Sequence, residues 1–367
     1  MKTSVIPFSI VALLAFYSCE TDDTDNPGID HSSKITAGYA YSLILKNDHT
    51  LWATGNNMEG QFGDSSTLSK LQPVKIADNV KAVAAGAFHT MILKNDHTLW
   101  ATGFNHFGQL GDSTKINKLT PVKIADNIQS IEAGDFYSLF IKTDGTLWAC
   151  GMNGYGQLGD GSTVVKLSPV KIADHIKEVA AGAGHTLILK SDNSLWATGA
   201  NNKGQVGDGT NTDKHTPVKV ADNVKAISAG SSHSLFVKTD NSLWGMGYNE
   251  FGQLGDSTNV NKNSPVKIAD SVIAAAAGGG HSLFIKVGNS LWGTGFNTGG
   301  ALGDGTTLHK NNAVKIADSI KAIAAGFGHS VVLKTNNRIH AAGSNDYGQL
   351  GDATNQQRSF FVPVLLQ

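Results

Sequence analysis

The sequence predicts an all-β fold, a seven-bladed β-propeller of four-stranded blades. Three observations carry this. Six tryptophans (Trp52, Trp100, Trp148, Trp196, Trp244 and Trp292) stand 48 residues apart, with His340 at the seventh position. Four glycine columns keep the same register, from Gly38, Gly55, Gly60 and Gly63 to Gly326, Gly343, Gly348 and Gly351, and account for 28 of the 42 glycines. Each 48-residue unit also holds four short apolar stretches divided by turn residues. A period of this length marks one supersecondary unit that buries its apolar faces only against its neighbours.

In the second unit the stretches run over residues 73–76, 80–84, 90–94 and 99–102. The separators Asp78-Asn79, Gly86-Ala87-Phe88 and Asn95-Asp96-His97 are turn chemistry of hairpin length. Stretches this short without a 3.6-residue period are strands. Runs such as Leu43-Ile44-Leu45 are continuously apolar, as a strand covered on both faces requires. Four-stranded meanders repeated seven times form a propeller. An open solenoid would need polar capping repeats, and the sequence has none. The first unit begins at Lys34 without a Pro-Val stretch, and the chain ends Pro363-Val364-Leu365-Leu366. The C-terminal strand is therefore expected to complete the first blade and close the ring. The propeller is assigned to residues 34–367.

Residues 1–18 read as a signal peptide. Lys2 precedes an apolar run over residues 5–16, too short to span a bilayer. Ser18-Cys19 resembles a bacterial lipoprotein cleavage box, which makes Cys19 the expected lipidation site. Residues 19–33 are an acidic tether. Glu20, Asp22, Asp23 and Asp25 resemble the acidic export signal of surface-exposed lipoproteins. The expected address is the bacterial outer membrane, facing the cell surface, with membrane contact only through the lipid.

Net charge is −1, from 29 basic and 30 acidic residues, and only Arg338 and Arg358 are arginines. That composition offers little for phosphate or base readout, so no nucleic-acid partner is expected. Two cysteines build no disulfide framework.

The repeat Ala181-Gly182-Ala183-Gly184-His185, then Leu195-Trp196, Gly199, Asn201 and Gly204-Gln205-Val206-Gly207-Asp208, resembles the regulator-of-chromosome-condensation repeat family. The resemblance spans residues 34–367 and implies a seven-bladed propeller. Family members that exchange nucleotide on small GTPases depend on features outside the repeat. The 48-residue spacing is unbroken up to residue 352 and leaves no inserted wedge, so no such exchange is expected. The light-sensing members use a loop tryptophan; the equivalent residues here are Tyr39, Ala87, Asp135, Ala183, Ser231, Gly279 and Phe327.

Several columns look chemical. His89, His185, His233, His281 and His329 share one slot with Tyr41 and Tyr137. Because Tyr replaces His without disturbing the pattern, the slot is read as satisfying backbone groups of its own turn, with no metal. The Gly-Asp turns from Asp64 to Asp352 are read as turn caps, because an EF-type loop's alternating oxygen ligands are missing. Lys46 and its counterparts to Lys334 are read as a solvated ring, the tryptophans as blade core, and Cys150 as a small buried hydrophobe. No cofactor is expected.

Strand parity places the Gly-x-x-His loops and the long Gly-Asp loops on one face. That face carries the variation between units, much of it aromatic. The candidate ligand-binding residues are Tyr39, Phe88, Phe104, His106, Phe107, Phe136, Tyr155, Tyr248, Phe251, Phe296, Phe327 and Tyr347; Tyr41 and Tyr137 belong to the same short loops. Exposed rings of this kind anchor a protein or a glycan. The expected function is a non-enzymatic, surface-anchored binding module. The alternative is a propeller lyase or hydrolase acting on an extracellular polysaccharide or small molecule, with Glu59, His106, Asp135, Glu250 and Asp346 as candidate groups. These lie on different blades and form no nucleophile-base pair.

Overall fold

The computed structural model describes residues 34–366. The segments read as signal peptide and tether, with Cys19, lie outside the described residues. Within them the chain forms seven four-stranded antiparallel sheets and no helix. In the first blade β1 (Lys34–Ala37), β2 (Tyr41–Leu45), β3 (Leu51–Gly55) and β4 (Lys70–Ala77) pair in sequence order, from the axis outward. Every later blade repeats this order, ending with the seventh at Ile320–Ala325, His329–Lys334, Ile339–Gly343 and Arg358–Pro363.

One expectation is corrected. The C-terminal strand Arg358–Pro363 pairs with Ile339–Gly343 of its own blade, not with the first. The Pro-Val stretch is the outermost strand of each blade rather than its first. Among the described residues each blade is thus one continuous piece of chain, and no strand crosses the seam between blades seven and one. The seam closes by packing and by hydrogen bonds, among them Ala353 N to Leu71 O at 3.0 Å. Ile35 and Ile44 of blade one lie in one buried cluster with Val331, Leu333 and Leu350 of blade seven, and Val364 and Leu366 pack against it. The same arrangement joins blades one and two, where Leu43 and Leu51 meet Val80 and Ile92. A fully buried leucine contributes about 1.5–3 kcal/mol, and the second strands supply one at every junction because both their faces are covered.

The long loop explains its own motif. Asn105 Oδ1 accepts from the Leu110 amide, and Asn105 Nδ2 donates to Asp112 Oδ1. Asp112 also caps the amide and hydroxyl of Thr114 and pairs with Lys118 at 3.1 Å. The Gly-Asp column is therefore turn capping, as its composition suggests. At Gly103 (φ +103°) an added Cβ would lie 2.5 Å from the Phe88 carbonyl oxygen, so no other residue fits.

Two columns depart from their expected roles. The column histidines bond across to the next blade rather than within their own turn. His89 Nε2 lies 2.9 Å from Ser138 Oγ, and His329 Nε2 lies 3.0 Å from Ser42 Oγ across the closing seam. Each serine hydroxyl donates its one proton to a carbonyl, Ser138 to Gln109 O at 2.7 Å and Ser42 to Gln349 O at 2.8 Å. The imidazole must then donate from Nε2, which fixes the neutral tautomer with Nδ1 unprotonated. The rings are buried, which pushes their pKa down to about 3 for His89 and about 4 for His185. Tyr41 and Tyr137 instead donate to the backbone oxygens of His89 and His185 and lie beside Thr90 and Thr186. In this chain a column His faces a Ser on the next blade and a column Tyr faces a Thr. The second departure is the tryptophan column, which is half-buried at the blade periphery. Trp52 Nε1 donates to Thr50 Oγ1, and Lys46 Nζ sits 4.2 Å over its ring. Lys142, Lys190, Lys238 and Lys286 sit likewise over their tryptophans as cation–π lids, whereas Lys94 donates to the Asp78 carbonyl.

Candidate functional site

The two loop classes share one face, as parity requires. The Phe104 amide donates to the Phe88 carbonyl, tying a long loop to the short loop of the same blade. The opposite face carries the short turns, where Asn95 N donates to Asn79 O.

Seven of the twelve candidate residues come together in one array running over blades seven, one, two and three. Phe327 stacks on Tyr39 with centroids 4.4 Å apart, and Tyr39 lies 5.4 Å from Phe88. Phe88 meets Phe104 and Phe136 at 6.4 Å. Phe107 lies 5.3 Å from Phe136, and His106 lies 4.5 Å from Phe104. Tyr39 and Phe327 are 41% and 47% exposed, and Phe88, Phe104, Phe107 and Phe136 are half-buried, so the array is partly open to solvent. A second, smaller array joins Tyr248, Phe251 and Phe296 on blades five and six. It includes His309, 5.0 Å from Phe251, which sequence reasoning missed because it falls at the far end of its loop. Tyr155 and Tyr347 are exposed but stand apart from both arrays. Tyr41 and Tyr137 are fully buried and belong to the blade junctions.

The acidic candidates do not converge. Glu59 accepts from Asn117 Nδ2 at 2.7 Å, and Glu250 pairs with Lys203 and accepts from the Tyr248 hydroxyl. Asp346 is exposed on blade seven. Among the described residues no three His, Cys, Asp or Glu side chains are placed to hold a metal. Cys150 is buried, which pushes its thiol up to about 12.

Asp135 differs from the other acids. It lies at the mouth of the axial channel, in a ring of equivalent positions with Tyr39, Ala87, Ala183, Ser231, Gly279 and Phe327. Its carboxylate has no hydrogen-bond or ion-pair partner among the described residues, and burial lifts it to about 6. Behind the mouth the channel opens into a cavity of about 150 Å³ lined by the innermost strands. Glu132 and Glu178 face it, lifted by burial to about 8. Sequence reasoning missed both, although a signal exists. Thr36, Ala84, Glu132, Ala180, Ser228, Ala276 and Ala324 share one repeat position, where Glu132 breaks a run of small residues.

A ring of repeats with this geometry defines a class of propeller, and the matches agree. The family model of the RCC1-like domain matches residues 18–284, and that of the regulator of chromosome condensation (RCC1) repeat matches residues 320–349. The chain belongs to the RCC1-like domain family. Among solved structures it is similar to human WBSCR16 (21% identity, TM-score 0.78, covering 86% of this chain and 93% of that one). It is likewise similar to yeast RCC1 (Prp20) bound to Kap60 (20% identity, TM-score 0.78, 95% and 91%). A further structure of Prp20p from Saccharomyces cerevisiae, described with its binding to Gsp1p and histones, gives 20% identity, TM-score 0.78, and coverage of 92% and 88%. At these identities the likeness concerns the fold. No curated protein sequence matches the chain.

Proposed function

We propose that the protein is a non-catalytic binding module that uses the aromatic loop face of its propeller to hold a protein or glycan, anchored by a lipid on Cys19 to the outer membrane, at the cell surface. One observation carries the binding assignment. Seven rings from four blades form a continuous, partly exposed array, whereas the opposite face carries short turns without aromatic clusters among the described residues. Rings of this kind give large contact area at small conformational cost. The known fold of Prp20p, a protein described as binding Gsp1p and histones, makes partner binding a natural use of the scaffold. Small-GTPase exchange is left out because the regular repeat holds no inserted wedge. The membrane address rests on Ser18-Cys19 and the acidic residues that follow.

The test is affinity capture from bacterial and host extracts with the unmodified chain, with Phe104→Ala combined with Phe107→Ala and Phe88→Ala, and with Asp96→Ser on the opposite face. Truncating an interface anchor typically costs about 2 kcal/mol or more, so the triple variant should lose its captured partner while Asp96→Ser keeps it. The reverse pattern would refute the assignment of the face.

A further inference from the structure

The aromatic array borders the opening on the propeller axis, and behind that opening stand carboxyl groups. Asp135 stands at the mouth with Tyr39 and Phe327. One alanine from each blade, Ala37 and its six counterparts to Ala325, lines both the mouth and the inner cavity, forming an apolar collar between them. Past the collar stand Glu132 and Glu178 on adjacent blades. Neither Glu132 nor Glu178 forms an ion pair among the described residues; the Ala133 and Ile227 amides favour their charged forms, as Lys177 does for Glu178, but burial outweighs both. The remaining charged group in the channel, Lys34, bonds the Lys81 carbonyl at 3.4 Å and answers none of these carboxylates.

Partly buried carboxyl groups with no cation beside them hold their protons until a cation arrives to favour the charged form. We propose that the channel takes up one alkylammonium group, the lysine side chain of a protein bound to the aromatic face. This rests on the reading of that face as a binding surface and names the chemistry of its partner. The elements fit a lysine in order. The stacked rings of Tyr39 and Phe327 offer π faces to an arriving cation. The alanine collar suits an unbranched methylene stem. The carboxylates on either side of the collar, Asp135 and Glu132, offer point charges to an ammonium. A guanidinium brings five N–H donors in a fixed plane, whereas an ammonium is a compact point charge that a ring of small residues admits more readily. The cavity of about 150 Å³ exceeds the space one water needs, about 10–15 Å³.

The test titrates the full chain with Nα-acetyl-lysine methylamide and with its norleucine and arginine counterparts, following binding by calorimetry. The lysine compound should bind at least tenfold more tightly than norleucine, which matches its stem without the charge, and more tightly than arginine. Asp135→Asn and Glu132→Gln should each weaken lysine binding at least fivefold without changing the norleucine result. Equal binding of lysine and norleucine, preference for arginine, or indifference to both substitutions would overturn the proposal. The comparison of the three compounds on the unmodified chain decides the matter even if a variant does not fold. Partner capture separates the two levels. If the aromatic triple variant loses the partner while Asp135→Asn and Glu132→Gln retain it, the lysine assignment fails and the face stands. If the triple variant keeps the partner while the lysine compound binds the channel, the face assignment fails and the channel stands.

Discussion

Replacing Ser42 by alanine tests how the ring closes. Ser42 Oγ donates to the Gln349 carbonyl at 2.8 Å and accepts from His329 Nε2 at 3.0 Å, both across the seam between the first and last blades. All three groups are buried. The substitution removes two hydrogen bonds, each with a net worth of about 0.5–1.5 kcal/mol, and strands a buried N–H and a carbonyl at a cost of about 1–3 kcal/mol. A loss of about 2–6 kcal/mol follows. Ser138→Ala is the matched control, because Ser138 makes the same two bonds, to Gln109 O at 2.7 Å and His89 Nε2 at 2.9 Å, between blades joined by the chain itself. With no strand among the described residues crossing the closing seam, the two junctions rest on the same kinds of contact. Both variants should therefore lower the urea midpoint by similar amounts at unchanged slope. Ser42→Ala costing less than about 0.5 kcal/mol while Ser138→Ala costs about 2 kcal/mol or more would refute this account, because it would mean that the closing junction does not depend on the same hydrogen bonds as the others.

Acid should loosen the ring. Burial holds the five column histidines at about 3 to 4, below the unfolded value of 6.5, so they take up protons on unfolding and their stabilising contribution is lost as pH falls from 6.5. Glu132, Glu178 and Asp135 are raised by burial, so their contribution has the opposite sign, present below their unfolded values of 4.5 and 3.8 and lost on the way up to about 8 and about 6. The histidines outnumber them between pH 6.5 and 4.5, so stability should drop by about 1.4 kcal/mol per pH unit for each net proton; a urea midpoint that holds or rises from pH 7 to pH 5 would contradict the neutral, buried imidazoles. Cys19→Ala should release the chain from the membrane fraction and abolish its accessibility to protease on intact cells, and unchanged fractionation and shaving would remove the proposed anchor.

The blade was legible in the sequence because its requirements are local and repeated. The glycine, tryptophan and Asn…Asp columns report turns and hairpins that each unit forms for itself, and seven copies in register left little doubt about the number of blades. Parity also sorted the loops correctly onto two faces, since an antiparallel meander reverses at every turn. Which stretch opens a blade was not legible, because a periodic pattern has no marked origin. Only strand pairing placed the Pro-Val stretch outermost and Arg358–Pro363 within its own blade. The partners of the column histidines were hidden for a related reason. His329 and Ser42 lie at opposite ends of the chain and meet only when the ring curves shut. The division of twelve candidate residues into a seven-membered array, a smaller array and two isolated tyrosines depends on which blades are neighbours in space. So does the axial channel, whose carboxylates on successive inner strands look like scattered acids until the blades are set around one axis.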